Sequence, residues 1–364
     1  YCRLTGNIIG ERFVVVSFGE SHGKCVGALV DGCPAGLQLS EEDIQPDLDL
    51  RKPGQSLVTT TRAEEDRVQI LSGVFEGYTT GAPILMLVWN KDVDSTSYRK
   101  LLNTPRPGHA DYPASVKYRG FNDWRGGGRF SGRITAGYVM AGAVAKKLLR
   151  TTLGIEVLAY SLEIGGVRCP SLPVDKIRSY RYSNEVRCPD PETAERMRKV
   201  ILDAKKSGDS VGGVVECIAL NLPVGVGEPV FSSLDSDLSR ALFSIPAVKG
   251  VEFGSGFQAA RMRGSENNDP FTVQDGVIKT ATNNAGGILG GLSTGMPIQV
   301  RVAFKPASSI SKPQKTVDLA RMEMTEIVVP GRHDPSVVPR AVVVVEAVVA
   351  FVLADHVLRA GLVK

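Results

Sequence analysis

The chain has 364 residues, 43% hydrophobic and 23% charged, which excludes a fibrous, coiled-coil or globally disordered polypeptide. That length allows two domains or one large one, with a core that needs no disulfide or metal staple. Its 43 Lys and Arg against 39 Asp and Glu leave a net charge of +4. This is too balanced to make nucleic acid the default partner, but it suits a small anion where arginines converge.

Cys2, Cys25, Cys33, Cys169, Cys188 and Cys217 contain no C-x-x-C pair and fit neither a zinc site nor a small disulfide framework. Six reduced thiols in a cytoplasmic enzyme are expected. No basic-then-apolar leader opens the chain, and without an initiator Met the start reads as trimmed or incomplete.

In chain order, β-branched runs predict strands over 13–18 and 28–31. A helix is expected after Ser40, with Glu41, Glu42 and Asp43 in its first turn. A strand follows over 84–89. Residues 131–149 read as a helix whose Ala136, Gly137, Ala141, Gly142, Ala143 and Ala145 allow close packing on another helix. Residues 167–191, with scattered prolines and charges, are the candidate boundary between halves. Asp190 as N-cap and Pro191 at the first helical position start a helix that runs to Lys206 and stops at Gly208. Strands are expected over 214–220, 248–253 and 298–304. The apolar run over 341–358 is interrupted by Glu346, Asp355 and His356, so it reads as a buried helix rather than a membrane span. Strands and helices do not alternate regularly, which favours α+β over a doubly wound sheet.

Chemistry concentrates in Gly-rich loops. Gly19-Glu20-Ser21-His22-Gly23 lets the backbone turn sharply and projects His22. It is not a G-x-S-x-G elbow. Arg106-Pro107-Gly108-His109-Ala110-Asp111 sets a His near a carboxylate that can orient it. Asp123-Trp124-Arg125-Gly126-Gly127-Gly128-Arg129 resembles an anion cradle, and Arg125, Arg129 and Arg133 line one face if a helical turn reaches back that far. Gly331-Arg332-His333-Asp334, the glycines around Gly290 and Lys305-Pro306-Ala307-Ser308-Ser309 complete the set. His356, in an apolar helix, reads as a packing or helix-end residue. Together these features describe an enzyme acting on a small phosphorylated or carboxylated anion, with no metal cluster.

The segments GNIIGERFVVVSFGESHG, DGCPAGL, DLDLRKPGQS, ILSGVFEGYTTGAPI, RPGHADY, KYRGFNDWRGGGR, IPAVKGVEFG, NNAGGILGG, KPASS, GRHDPSVVPRAV and LADH resemble, in this order, chorismate synthase. They cover essentially the whole chain. The resemblance implies one domain over 1–364 with an α+β fold, a β-α-β sandwich of antiparallel sheets enclosing helices. It implies internal pseudo-symmetry, with halves expected to meet near 167–191. The implied activity is a lyase reaction of the shikimate pathway toward aromatic amino acids. It is the 1,4-anti elimination of phosphate from 5-enolpyruvylshikimate-3-phosphate, using reduced FMN without net redox change. A homotetramer is implied, with flavin reduced by NADPH on the enzyme itself or by an external flavin reductase. Nucleic acid and membrane are not implied.

By this resemblance His22 protonates the departing phosphate, His109 acts on the flavin, and Asp334 helps remove the C6 proton. Ser21, Arg51, Arg133 and Arg332 are the implied substrate residues. FMN contacts carry over to Arg129, Phe130, Ser131, Pro246, Ala247, Gly290, Lys305, Pro306, Ala307, Ser308, Ser309 and Arg332. The chain departs from many members at Phe130, which offers no hydroxyl. It also departs at Pro246, which lacks an amide, at Leu57, near a proposed NADP site, and at Ser336. The same loops also fit a flavin-dependent oxidoreductase acting on a small anion. An RNA-binding protein is disfavoured by the single Arg-Gly-Gly element and the lack of a basic tract.

Overall fold

The computed structural model describes residues 6–52, 65–91, 101–329 and 334–363. The chain opens with β1 (Ile8–Ile9), β2 (Val14–Gly19) and β3 (Cys25–Asp31), then α1 (Glu41–Arg51). Asp43 accepts the Ser40 amide at 2.9 Å and so caps the start of α1. Next come β4 (Gln69–Ile70), a small hairpin of β5 (Val74–Phe75) and β6 (Tyr78–Thr79), and β7 (Ile84–Trp89). The first sheet has the order β1-β2-β3-β7-β4 and is antiparallel throughout.

Helices α2 (Asp111–Lys117) and α3 (Thr135–Leu153) lead to β8 (Glu156–Ile164) and β9 (Val167–Arg168). Then follow α4 (Val174–Tyr180), α5 (Pro191–Lys206), β10 (Gly213–Leu220), α6 (Leu234–Leu242), β11 (Val248–Phe253) and α7 (Gly264–Asn267). Two hairpins, β12 (Phe271–Gln274) with β13 (Val277–Thr280) and β14 (Ile288–Leu289) with β15 (Leu292–Ser293), precede β16 (Ile298–Phe304). A last hairpin, β17 (Gln314–Asp318) with β18 (Glu323–Ile327), leads to α8 (Val338–Arg359). The second sheet has the order β11-β16-β10-β8-β9, again antiparallel.

The helices lie between the sheets. α3 packs on β2, β3 and β7, while α8 packs on β8 and β10. α3 and α8 pack on each other, flanked by α1 and α6. This is the α+β sandwich expected, with one continuous apolar core shared by both sheets and the helices between them. α8 has the length and composition of a membrane span, with a mean hydropathy of 2.3, yet 94% of that stretch is buried inside the protein. The α3–α8 contact is close enough that a Cβ on Gly142 would lie 2.2 Å from the Ala347 Cβ. Glu346, on α8, stays within this core because its carboxylate is satisfied. It accepts from the Ala159 amide (2.8 Å), Arg181 (3.1 Å) and Lys146 (3.3 Å).

The helix expected over 131–149 is shifted. Residues 132–134 form a tighter turn, capped by Ser131, whose Oγ accepts the Arg133 amide at 3.2 Å. The α-helix proper begins at Thr135 and ends at Gly154, whose φ of +65° terminates it in the left-handed region.

Candidate active site

The loop that follows β2 carries His22. Gly19 turns out of the strand with φ +85°, and a Cβ there would meet the Cys25 carbonyl oxygen at 2.1 Å. The Asn90 side chain, at the end of β7, donates to the Glu20 and Gly23 carbonyls at 3.0 and 2.9 Å. This anchoring holds Ser21 and His22 buried although they sit in a loop.

Gly126, Gly127 and Gly128 all have positive φ, at +58°, +82° and +51°. A Cβ on Gly126 would lie 2.4 Å from His22 Nε2, and one on Gly127 would lie 3.2 Å from His109 Nε2. Two imidazoles from distant loops therefore meet adjacent residues of one side-chain-free strip. The same left-handed run corrects one expectation. Arg125, Arg129 and Arg133 do not share a helical face, because the glycines between them are not helical. Arg125 is exposed and pairs with Asp123 at 2.8 Å. Arg129 donates to Gly19 O and Asn7 Oδ1, both at 2.9 Å, and to Ser17 O at 3.2 Å. Arg133 turns inward and donates to Asn90 Oδ1 at 2.9 Å.

His109 sits beside Arg106 and Asp111. Its Nδ1 is 2.6 Å from Asp111 Oδ1, and Arg106 grips the same carboxylate through Nε and Nη2, each at 2.8 Å. Burial opposes ionisation of Asp111, but the hydrogen bonds from Arg106 and His109 outweigh it and hold the carboxyl far below the usual range. Arg106 Nη1 reaches Ser309 Oγ at 3.1 Å, and Ser308 Oγ donates to Gly108 O at 2.7 Å. The loop of residues 305–309 is thereby fixed to the His109 loop. Lys305 joins it to Ala247 through its amide (2.9 Å) and to Ser308 through Nζ (2.7 Å). Burial and the neighbouring Lys249 both push the Lys305 ammonium below its usual pKa.

A third group lies around Asp66. Arg51, at the end of α1, is 1% exposed, and its guanidinium donates to Thr135 Oγ1 (3.0 Å), Asp66 Oδ2 (3.2 Å) and Gly132 O (2.8 Å). Arg133 Nη1 pairs with the other Asp66 oxygen. Burial again raises the Asp66 carboxyl, but Arg51 and Arg133 outweigh it and the net direction is down. Arg340 donates to the Arg51 carbonyl at 3.0 Å and pairs with Asp334. Asn90 links this group to the His22 loop through Arg133.

Most of the expected residues thus converge. Phe130, 37% exposed, stands at the outer end of the glycine strip. Pro246 precedes Ala247, which itself has φ +74°. Gly290 is exposed in the β14–β15 turn, and the neighbouring Gly291 carbonyl accepts from Leu234. Arg332, His333, Leu57 and Cys2 lie outside the described residues. The other five cysteines are free. Sequence reasoning missed Asp66, Asn90 and Arg340 as organisers of the site.

These residues suit a phosphorylated flavin. The glycines let His22 and His109 close onto the backbone of Gly126 and Gly127. Lys305 and Lys249 repel each other, and a phosphate between or beside them relieves that repulsion.

The chorismate synthase family model matches residues 13–358. A chorismate synthase from Korarchaeum cryptofilum is 61% identical over 356 residues, covering 98% of each chain. One from Dehalococcoides mccartyi is 55% identical over 358 residues, again covering 98% of each. A crystal structure of chorismate synthase superposes with a TM-score of 0.76 at 34% identity, covering 97% of this chain and 93% of that one.

Proposed function

The chain belongs to the chorismate synthase family of carbon–oxygen lyases, and from that premise we propose that it eliminates phosphate from 5-enolpyruvylshikimate-3-phosphate to give chorismate, with reduced FMN bound. The observation that carries this reading is the approach of His22 and His109 to adjacent glycines, with the Arg133 guanidinium tied to the His22 loop through Asn90. An acid and a second proton carrier on one anion-binding floor are what loss of phosphate requires.

Reduced FMN, when bound, would supply transient electron density for the elimination with no net redox change. Lys305, Ser308, Ser309 and Ala247, fixed beside His109, are the residues that would hold it. His22 supplies a proton to the departing phosphate. Its burial keeps water from competing for that proton. Arg133 and Arg340 orient the anionic substrate, while Asp334, paired with Arg340, assists loss of the C6 proton. His109 holds or releases a proton at Nε2 on the flavin side. Arg51 acts from behind, because its donors are committed to Thr135, Asp66 and Gly132.

The working form is a cytoplasmic homotetramer in this reading. The exposed apolar side chains of the β12–β13 hairpin, Phe271 at 73% and Val273 at 75%, support association. Flavin is reduced by NADPH on the enzyme or by an external reductase. The test bypasses that step with chemically reduced FMN under anaerobic conditions. Phosphate and chorismate should appear one to one, with many turnovers per flavin. His22→Ala and His109→Ala should each lower kcat by about 10²–10⁴-fold with unchanged circular dichroism. Tight binding of reduced FMN without turnover would overturn the proposal.

A further inference from the structure

The structure assigns Asp111 as the positioning residue for His109: its carboxylate, locked by Arg106, holds the imidazole in the Nδ1–H tautomer and makes Nε2 the working nitrogen. The catalytic meaning of this assignment rests on the role proposed above for His109, but the tautomer itself does not.

The argument begins with the 2.6 Å between His109 Nδ1 and Asp111 Oδ1. An ionised carboxylate offers only lone pairs. An unprotonated Nδ1 would set lone pair against lone pair at that distance, so the hydrogen lies on Nδ1. Arg106 Nη2 is 3.0 Å from the same Nδ1 and 3.3 Å from Nε2. A guanidinium only donates, and a protonated Nδ1 cannot accept. An atom so nearly equidistant from both ring nitrogens lies on neither one's in-plane lone-pair axis, so Arg106 rests against the ring and leaves the Nε2 lone pair free. The Nδ1–H tautomer satisfies Asp111, whereas the opposite tautomer opposes it.

The carboxylate cannot swing to relieve that opposition. Arg106 Nε and its backbone amide both reach Oδ2, at 2.8 and 3.0 Å, while Nη2 reaches Oδ1 at 2.8 Å. Nη1 is anchored on Ser309 Oγ at 3.1 Å. The Arg106 side chain is 5% exposed and that of Asp111 15%, so water does not replace these bonds. With Nδ1 committed, Nε2 is the nitrogen that faces Gly127, next to the glycine that His22 Nε2 approaches.

Asp111→Asn is the informative substitution. The amide has one oxygen. The Oδ2 position receives two fixed Arg106 donors and the Oδ1 position only one, from Nη2, so the oxygen stays at Oδ2. The amide nitrogen then occupies the Oδ1 position and donates to Nδ1. The ring is driven to the Nε2–H tautomer, and the working nitrogen becomes a donor.

The test uses the full chain with 15N-labelled histidine, measured by magic-angle-spinning 15N spectroscopy above the ordinary histidine pKa. The four His resonances are assigned by single His→Gln variants. Wild type should show protonated Nδ1 and bare Nε2 for His109, and Asp111→Asn should show the reverse. Under turnover conditions Asp111→Asn should lose about 10²-fold or more in kcat, with KM for substrate within a few-fold. Asp111→Glu, which keeps the charge, should retain the wild-type tautomer. A wild-type His109 protonated on Nε2 would overturn the assignment even if no variant folds. An Asp111→Asn protein with the wild-type tautomer and near-normal kcat would overturn it as well. If wild type fails to turn over substrate, the functional reading falls, while the spectra still decide the role of Asp111.

Discussion

Asp66 is the least conspicuous residue of the site and the one whose removal should be felt most in stability. Its side chain is fully buried and joins Arg51 and Arg133, whose side chains are 2% and 6% exposed. Asp66→Ala deprives both guanidiniums of a shared counter-charge in a place water does not reach. Breaking a buried pair in this way costs about 3–5 kcal/mol. With an unfolding entropy of about 2.1 cal/mol/K per residue over 364 residues, Tm should fall by roughly 4–7 °C. Asp66→Asn should fall by less, because it keeps an acceptor and because Asn tolerates the left-handed φ of +45° found here. The pH dependence separates charge from shape. The folded-state pKa of Asp66 is below its unfolded value, since the two arginines outweigh the effect of burial. Its contribution is therefore fully present above about pH 4 and is lost as pH falls through the folded pKa. The Tm gap between wild type and Asp66→Asn should be constant from neutral pH down to about pH 5 and narrow below about pH 4. Thermal unfolding followed by circular dichroism across that range measures both quantities. A Tm change under about 1 °C for Asp66→Ala at neutral pH, or a gap that does not respond to acid, would refute the reasoning.

Three other substitutions probe the frame around the site. Gly126→Ala puts a methyl 2.4 Å from His22 Nε2 at a φ of +58°, so kcat should drop by about 10²-fold while far-ultraviolet circular dichroism stays unchanged. Gly142→Ala drives a Cβ to within 2.2 Å of Ala347 Cβ and 2.3 Å of its Cα, forcing α3 and α8 apart; a loss of about 1–3 kcal/mol in unfolding free energy is expected from denaturant titration. Asp355 Oδ1 accepts the amides of Glu11, Arg12 and Phe13 at 2.8, 2.6 and 2.9 Å. Asp355→Ala should release that segment from the end of α8 and speed proteolytic cleavage near β1, which limited trypsin digestion would detect.

The parts legible in sequence were those governed by local rules. The strands expected over 84–89, 248–253 and 298–304 match β7, β11 and β16 to the residue. Helix α5 starts and ends where Asp190-Pro191 and Gly208 put it, and Asp190 does accept the Thr193 amide at 3.0 Å. His356 is the buried helix-end residue it was read to be, 3.1 Å from Asp237. β8, the longest strand among the described residues, went unread because nearly all its residues are buried, so it shows no alternation of polar and apolar positions. α6 is only two turns long, and its caps resemble a loop. In the site, glycines and histidines announced themselves as punctuation between elements. Their acceptors did not. Asp66 belongs to the run Glu64-Glu65-Asp66-Arg67, which reads as a solvated charged stretch, and Asn90 is one polar residue after a strand. Their roles come from partners 15, 43 and 67 positions away.

Arginine shows why composition alone could not rank these residues. In sequence, each Arg near a glycine reads as an anchor for an anion. In the fold they divide by what their donors already hold. Arg129 is bound to backbone oxygens of β2 and Arg51 to Thr135, Gly132 and Asp66, so both shape the loops. Around Asp66, three guanidiniums (Arg51, Arg133 and Arg340) face two carboxylates (Asp66 and Asp334) among the described residues. These side chains are largely withdrawn from water. Folding meets their desolvation cost before any ligand arrives, so in the proposed function an incoming anion finds the guanidiniums already oriented. On that proposal the acidic residues are as necessary to anion binding as the basic ones. Without Asp66 the site would be more positive, but the guanidiniums would no longer be held where the anion needs them.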